Sequence, residues 1–111
     1  MSTPVGQNHT FLTSITSVTQ IVNPASNTRG LELRTAIIGG TNGGISVYTG
    51  PTAPTAHGDT GPPLIFSSGT ISSEVTRYLP YPLSMPAGYG LWVTASSGST
   101  NAIALTWDLL A

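Results

Sequence analysis

Apolar and polar residues alternate along three stretches of the chain, 31–38, 91–95 and 101–110. A two-residue period of this kind is typical of β-strands with one face buried. The apolar residues that share a face in these stretches are Leu31, Leu33 and Ile37, then Leu91, Val93 and Ala95, then Ile103, Leu105, Trp107 and Leu109. Each stretch therefore predicts one strand.

Four further strands are predicted at 9–22, 45–49, 64–68 and 70–79, of which 9–22 is dense in β-branched residues. In 9–22 apolar residues recur every three positions, which would suit a helix. Serine and threonine fill the gaps, however, and these residues favour strands and turns over helix interiors. We therefore interpret 9–22 as a strand that contains a bulge.

Two small-residue turns predict hairpins. The glycine-rich segment 39–44 is expected to join the two strands that flank it, and 96–100 is expected to join a C-terminal hairpin formed by 86–98 and 101–110. The segment 50–63 is a 14-residue loop with four prolines. Loops of this length are uncommon and are often functional.

Seven or eight short strands separated by glycine and proline turns predict an all-β, antiparallel β-sandwich of the jelly-roll type. A chain of 111 residues is expected to form one such domain at 11–111, preceded by a flexible N-terminal arm at 1–10. The predicted core consists of Leu31, Leu33, Ile37, Ile45, Val47, Val75, Leu91, Val93, Ile103, Leu105 and Leu109.

Charged residues make up only 6% of the chain, against about 25% in typical domains. The three cations are Arg29, Arg34 and Arg77, and there is no lysine. Three cations are too few for the phosphate contacts of a nucleic-acid partner, and the same count argues against an anionic membrane surface. Charges normally protect sheet edges from pairing with other chains, so we expect a homo-oligomer.

The chain contains no cysteine, which excludes disulfides and thiolate metal sites. Its first residues show no basic segment followed by an apolar run, and no apolar run approaches the roughly 20 residues of a membrane span. Synthesis in the cytoplasm is therefore expected.

The triplet Asp-Thr-Gly at Asp59 resembles the active-site signature of retroviral-type aspartic proteases, in which two subunits each contribute one aspartate. Here the triplet follows loop residues rather than an apolar strand, which favours a turn in which Asp59 caps its own backbone. His57 and His9 are the two histidines, fewer than the three protein ligands usual for zinc. We therefore expect no catalytic residue, no metal and no cofactor.

Five aromatic residues fall opposite the predicted core faces or in turns, namely Tyr48, Tyr78, Tyr81, Tyr89 and Trp92. Aromatic residues are enriched in protein interfaces. Two other interpretations stay open, namely a core with two buried faces and a platform for binding sugars.

The segment Pro-Ala-Gly-Tyr-Gly-Leu-Trp-Val at 86–93, followed by the strand at 101–110, resembles a recurring C-terminal pattern in small all-β virion proteins of tailed phages. The long prolyl loop and the charge-poor composition also resemble capsid decoration (cement) proteins of that group. The resemblance implies a homotrimer on the capsid surface that binds the major capsid protein and stabilises the shell.

We expect the shell contacts in the N-terminal arm and the prolyl loop, because loops concentrate function. The candidate contact residues, which include four of the five aromatic residues, are Thr3, Pro4, Val5, His9, Pro51, Pro54, His57, Asp59, Tyr48, Tyr78, Tyr81 and Trp92. A receptor- or glycan-binding tip module of a phage tail or fibre is the alternative function, and a dimeric aspartic protease is the third.

Overall fold

The computed structural model describes nine strands and one short 3-10 turn, Pro24–Ser26. The strands are β1 (Asn8–Thr13), β2 (Thr19–Val22), β3 (Leu31–Thr41), β4 (Ile45–Gly50), β5 (Leu64–Ser67), β6 (Val75–Tyr78), β7 (Leu83–Met85), β8 (Gly90–Ala95) and β9 (Thr100–Leu109). The residues described are 5–13, 15, 17–41, 44–67, 75–96 and 100–110.

The strands form two antiparallel sheets. Sheet A has the strand order β1-β9-β3-β6, with β7 also paired to β3, and sheet B has the order β2-β8-β4-β5. Most consecutive strands therefore alternate between the sheets, and each sheet interleaves strands from both ends of the chain. These two strand orders are those of a jelly roll, so the fold class predicted from the sequence is confirmed.

Both predicted hairpins are wrong. β3 lies in sheet A and β4 in sheet B, so 39–44 carries the chain from one sheet to the other. β8 and β9 are separated in the same way. The segment 9–22 likewise divides into β1 in sheet A and β2 in sheet B. Alternation determines which face of a strand is buried but not which strand lies beside it, and this explains the error.

The core lies between the two sheets. Eight of the predicted core residues are buried there: Leu31, Leu33, Ile45, Val47, Leu91, Val93, Ile103 and Leu105. Leu109 is 40% exposed at the end of β9, so its assignment to the core is wrong. The side chain of Val75 lies outside the described residues.

Ile37 is also wrongly assigned, because β3 contains a bulge at Arg34. Leu33 pairs with Trp107 but Thr35 pairs with Thr106, so one extra residue of β3 stands opposite β9. A bulge of this kind reverses the alternation that follows it. Ile38 is consequently buried, and Ile37 points to the outer face of sheet A.

The predicted arm overlaps the sheet. Residues 8–10 begin β1, and two residues before it are bound to β9 by their backbone amides. Gly6 N donates to Thr106 Oγ1 at 3.0 Å, and Gln7 N donates to Asp108 Oδ1 at 2.7 Å. A Cβ on Gly6 would lie 2.4 Å from the backbone nitrogen of Trp107, so only glycine permits this close approach.

Candidate protein-binding surface

One apolar row crosses the whole outer face of sheet A. Phe11 of β1 pairs with Ala104 of β9, Ala104 pairs with Ile37 of β3, and Ile37 pairs with Tyr78 of β6. Directly paired residues point to the same face of a sheet. Phe11 and Tyr78 are each 69% exposed. One aromatic ring therefore projects near each edge of this face, and Ala104 and Ile37 form a lower surface between the two rings.

Two hollows flank this row. The larger, of ≈ 400 Å³, extends from the row toward His9 and Thr106, and its lining includes Phe11 and Tyr78. The smaller, of ≈ 220 Å³, lies over Gly39 and Ala102 on the other side. Among the described residues, no Asp, Glu, Lys or Arg lines either hollow. We call the row and its two hollows the sheet A face; it is an uncharged surface with projecting aromatic rings.

A charged cluster lies beyond the larger hollow, at the end of the sheet where Gln7 is bound. Arg34 Nη1 lies 2.8 Å from Glu32 Oε1, and Arg34 Nε lies 2.9 Å from Asp108 Oδ2. The Gln7 backbone amide and the Arg34 guanidinium hold the pKa of Asp108 below its usual value, because both stabilise the carboxylate. The cluster thus fixes the segment that precedes β1.

Sheet B has no comparable open face. Tyr48 and Trp92 point away from the core, as predicted, but they are only 2% and 3% exposed. The prolyl loop, 51–63 in the structure, and the 3-10 turn cover this face, because His57 of the loop is bonded to Thr94 and the turn packs against β8. Neither side chain is accessible to a partner in this structure, and their contact with a partner stays a prediction.

The prolyl loop is tied to sheet B at two points. His57 Nδ1 lies 2.9 Å from Thr94 Oγ1, a fully buried hydroxyl, and Thr49 N donates to Pro63 O at 3.0 Å. Burial lowers the pKa of His57, because desolvation disfavours its charged form. Pro51, at the start of the loop, is exposed.

Asp59 closes a turn within the same loop. Its Oδ2 accepts hydrogen bonds from Thr55 N at 2.8 Å and Thr55 Oγ1 at 3.1 Å, and its Oδ1 accepts one from Gly61 N at 2.9 Å. These bonds, led by that from Gly61, lower the pKa of Asp59. The carboxylate therefore has the turn-capping arrangement that the sequence favoured.

A third groove, of ≈ 360 Å³, lies between β5 and the segment from β6 to β7. Its lining includes Phe66, the exposed Arg77 and Tyr81, which is 64% exposed. Tyr78 borders both this groove and the sheet A face. The groove differs from the sheet A face because it contains a cation.

The groups capable of chemistry do not converge in the described part of the chain. His9 lies on the sheet A face and His57 on sheet B, and no group of three or more potential metal ligands occurs among the described residues. Val5 is exposed near the start of β1, and Thr3 and Pro4 lie outside the described residues. No helix in the described ranges is long and apolar enough to cross a membrane.

Sequence reasoning missed the central residues of the sheet A face, namely Phe11, Ile37 and Ala104. A signal was present for Phe11: it precedes Leu12 within a strand, and adjacent strand residues point to opposite faces. One of these two large apolar residues had to face outward. No comparable signal located the bulge that turns Ile37 outward.

Comparison with known proteins adds little. No protein-family model matches the chain. No curated protein matches it. Among solved structures, a chain titled "Structure of Eiger TNF from S. frugiperda" is similar to it, with a TM-score of 0.41 and 14% sequence identity, over 93% of this chain and 90% of that chain. A similarity at this level carries no argument about function.

Proposed function

We propose that this jelly roll is a non-catalytic structural protein of a phage virion, which binds the outside of the capsid shell and stabilises it. The observation that supports this proposal most is the sheet A face, an uncharged surface with two projecting aromatic rings. Exposed apolar patches of this kind mark sites of protein–protein contact. The described residues contain this apolar patch and no converging set of reactive groups.

A decoration protein acts by mass action. If it binds the assembled shell and not the free or unexpanded subunits, its binding free energy adds to the stability of the assembled state. A rigid sandwich suits this role, because little conformational entropy is then lost on binding. We expect the residues before Gly6 to contribute shell contacts, since the first described backbone bonds to the sheet begin at Gly6.

The test is co-sedimentation of the purified protein with expanded, undecorated shells of the phage that encodes it. We expect saturable binding and a rise in the melting temperature of the shells. A variant lacking residues 2–5 should keep the melting temperature of the free protein, because the bonds of Gly6 and Gln7 are retained. Its occupancy should fall at least tenfold, which corresponds to about 1.4 kcal/mol.

The outcomes separate the parts of this proposal. Equal occupancy of the truncated and full-length proteins in a competition experiment would remove the N-terminal residues from the shell contact. A full-length protein that binds no shell would contradict the decoration function itself. The expected major capsid partner, virion location and homotrimer belong to this proposal.

A second candidate function, glycan binding by a tail or fibre tip, rests on the groove between β5 and β7. Tyr81 offers an exposed ring for stacking on a sugar, and Arg77 offers a cation for a sugar carboxylate. Calorimetry with an acidic polysaccharide such as hyaluronan should then detect binding that Tyr81→Ala and Arg77→Gln abolish and Arg29→Gln retains. An absence of heat with the unmodified protein would contradict this candidate.

A further inference from the structure

We infer that the sheet A face is an interface between two copies of this chain, in which Phe11 of each copy fits into a hollow of the other. This contact is formed in solution and uses the same face that supports the proposed shell binding, so the dimer must dissociate before that face can contact a shell. It goes beyond the proposed function and is measured without a shell.

The shape of the face supports pairing with a second copy. Phe11 projects from β1, and the hollow over Gly39 and Ala102 lies beside it on the same face. A hollow of ≈ 220 Å³ is large enough for a phenyl ring. A surface that carries both a projection and its receptor can pair with itself around a two-fold axis, and each copy then makes the same contact twice.

The lack of charge on the described part of the face also favours a second copy as its partner. The described residues that line the face carry no charge. Such a surface gains most from a partner surface that is also uncharged, because no charge on either side is then left buried without a counter-ion. A second copy supplies such a surface. Its net charge of −1 adds little repulsion between the two molecules.

The size of the face sets the strength of the contact. Four strands spaced about 4.8 Å apart, of which β6 has four residues and the others at least six, cover on the order of 400 Å². A stable complex buries roughly 800 Å² on each partner. We therefore expect a weak dimer with a dissociation constant above about 1 µM, and this dimer in solution is a separate contact from the homotrimer proposed on the shell.

Sedimentation velocity from about 1 µM to 1 mM tests this inference. The unmodified protein should shift from the mass of one 11.4 kDa chain to that of two as its concentration rises. Phe11→Ser should raise the dissociation constant at least tenfold. Tyr81→Ser removes an equally exposed aromatic ring outside the face and should leave the constant unchanged.

Two variants with opposite charges at one position make the test specific for self-association. Ala104 lies at the centre of the face, so both copies of residue 104 lie close together in the dimer. Ala104→Arg and Ala104→Asp should each be monomeric alone, and an equimolar mixture should form a heterodimer. Ala25→Arg adds a charge at an exposed position away from the face and should dimerise normally.

Three results would overturn the inference. They are a monomer at every concentration up to 1 mM, an association that Phe11→Ser and Ala104→Arg leave unchanged, and a mixture of the two Ala104 variants that stays monomeric. Circular dichroism of each variant confirms that it is folded before its mass is interpreted.

Discussion

The side chain of Asn101 binds both backbone polar groups of Ile15. Ile15 N donates to Asn101 Oδ1 at 2.7 Å, and Asn101 Nδ2 donates to Ile15 O at 3.2 Å. Ile15 lies where the chain passes from β1 in sheet A to β2 in sheet B. Both residues are buried, so one amide replaces the strand pairing that the backbone lacks at this crossing.

Asn101→Ala should destabilise the protein by about 1–3 kcal/mol, because it leaves the buried amide and carbonyl of Ile15 without these partners. Asn101→Asp should cost more at pH 7, since it buries a carboxylate and removes the donor. Urea unfolding measures both changes. Asn8→Ala, which removes only a long bond of 3.4 Å from Asn8 Nδ2 to Trp107 O at an exposed position, should change the free energy of unfolding by no more than about 0.5 kcal/mol. A similarly small effect of Asn101→Ala would contradict this role.

The bulge at Arg34 predicts unequal effects at two adjacent isoleucines. Ile38→Ala should cost about 2–5 kcal/mol because Ile38 is fully buried. Ile37→Ala should cost less than about 1 kcal/mol because Ile37 lies on the outer face. Denaturant midpoints of the two variants provide the comparison, and the reverse order would show that β3 keeps a regular register.

The carboxylate of Asp108 should control the binding of the segment before β1 at acid pH. Its pKa is lowered by folding, so its contribution is complete above the unfolded value of about 3.9 and is lost as the pH falls through the lower folded value. The NMR shift of the Gln7 amide should therefore titrate with a midpoint below 3.9.

Asp108→Asn should abolish this titration of Gln7. The amide of Gly61, which donates to Asp59, provides a matched internal reporter that the substitution should not affect. A Gln7 midpoint at or above 3.9 would contradict the bond to Asp108.

His57 should make stability fall under mildly acidic conditions. Because burial lowers its pKa, its stabilising contribution is complete above the unfolded value of about 6.5 and decreases as the pH falls toward the folded value. The melting temperature should thus decline between pH 7.5 and 5. His57→Gln, which can still bond Thr94, should flatten this decline. Identical profiles for the variant and the unmodified protein would contradict the packing of the prolyl loop.

The sequence was sufficient for the fold class but not for the arrangement of strands. Alternation at Leu31, Leu33, Ile103 and Leu105 reports burial on one face, and these four residues are buried. Neighbouring strands are set by contacts between residues far apart in the chain, and a local pattern contains no information about them. The hairpins at 39–44 and 96–100 were predicted from local turns and failed for this reason.

The candidate surface was only partly predictable for a similar reason. Exposure of Tyr78 and Tyr81 agrees with their predicted positions, but Tyr48 and Trp92 are covered by a loop whose composition gave no sign of packing. Whether a strand's outer face meets solvent depends on what folds over it. The exposure of that face is a property of the tertiary structure, and it cannot be predicted from the residue pattern of a single strand.

The covering of sheet B gives the molecule two unlike sides. Gly58 of the prolyl loop has a positive φ of 87°, and no atom beyond its own chain neighbours lies within 4 Å of the position that a Cβ would occupy there. The neighbouring His57 is bonded to Thr94 of sheet B, so Gly58 lies on the side of the sandwich opposite Phe11. Residues inserted at Gly58 would therefore meet solvent on the side away from the sheet A face.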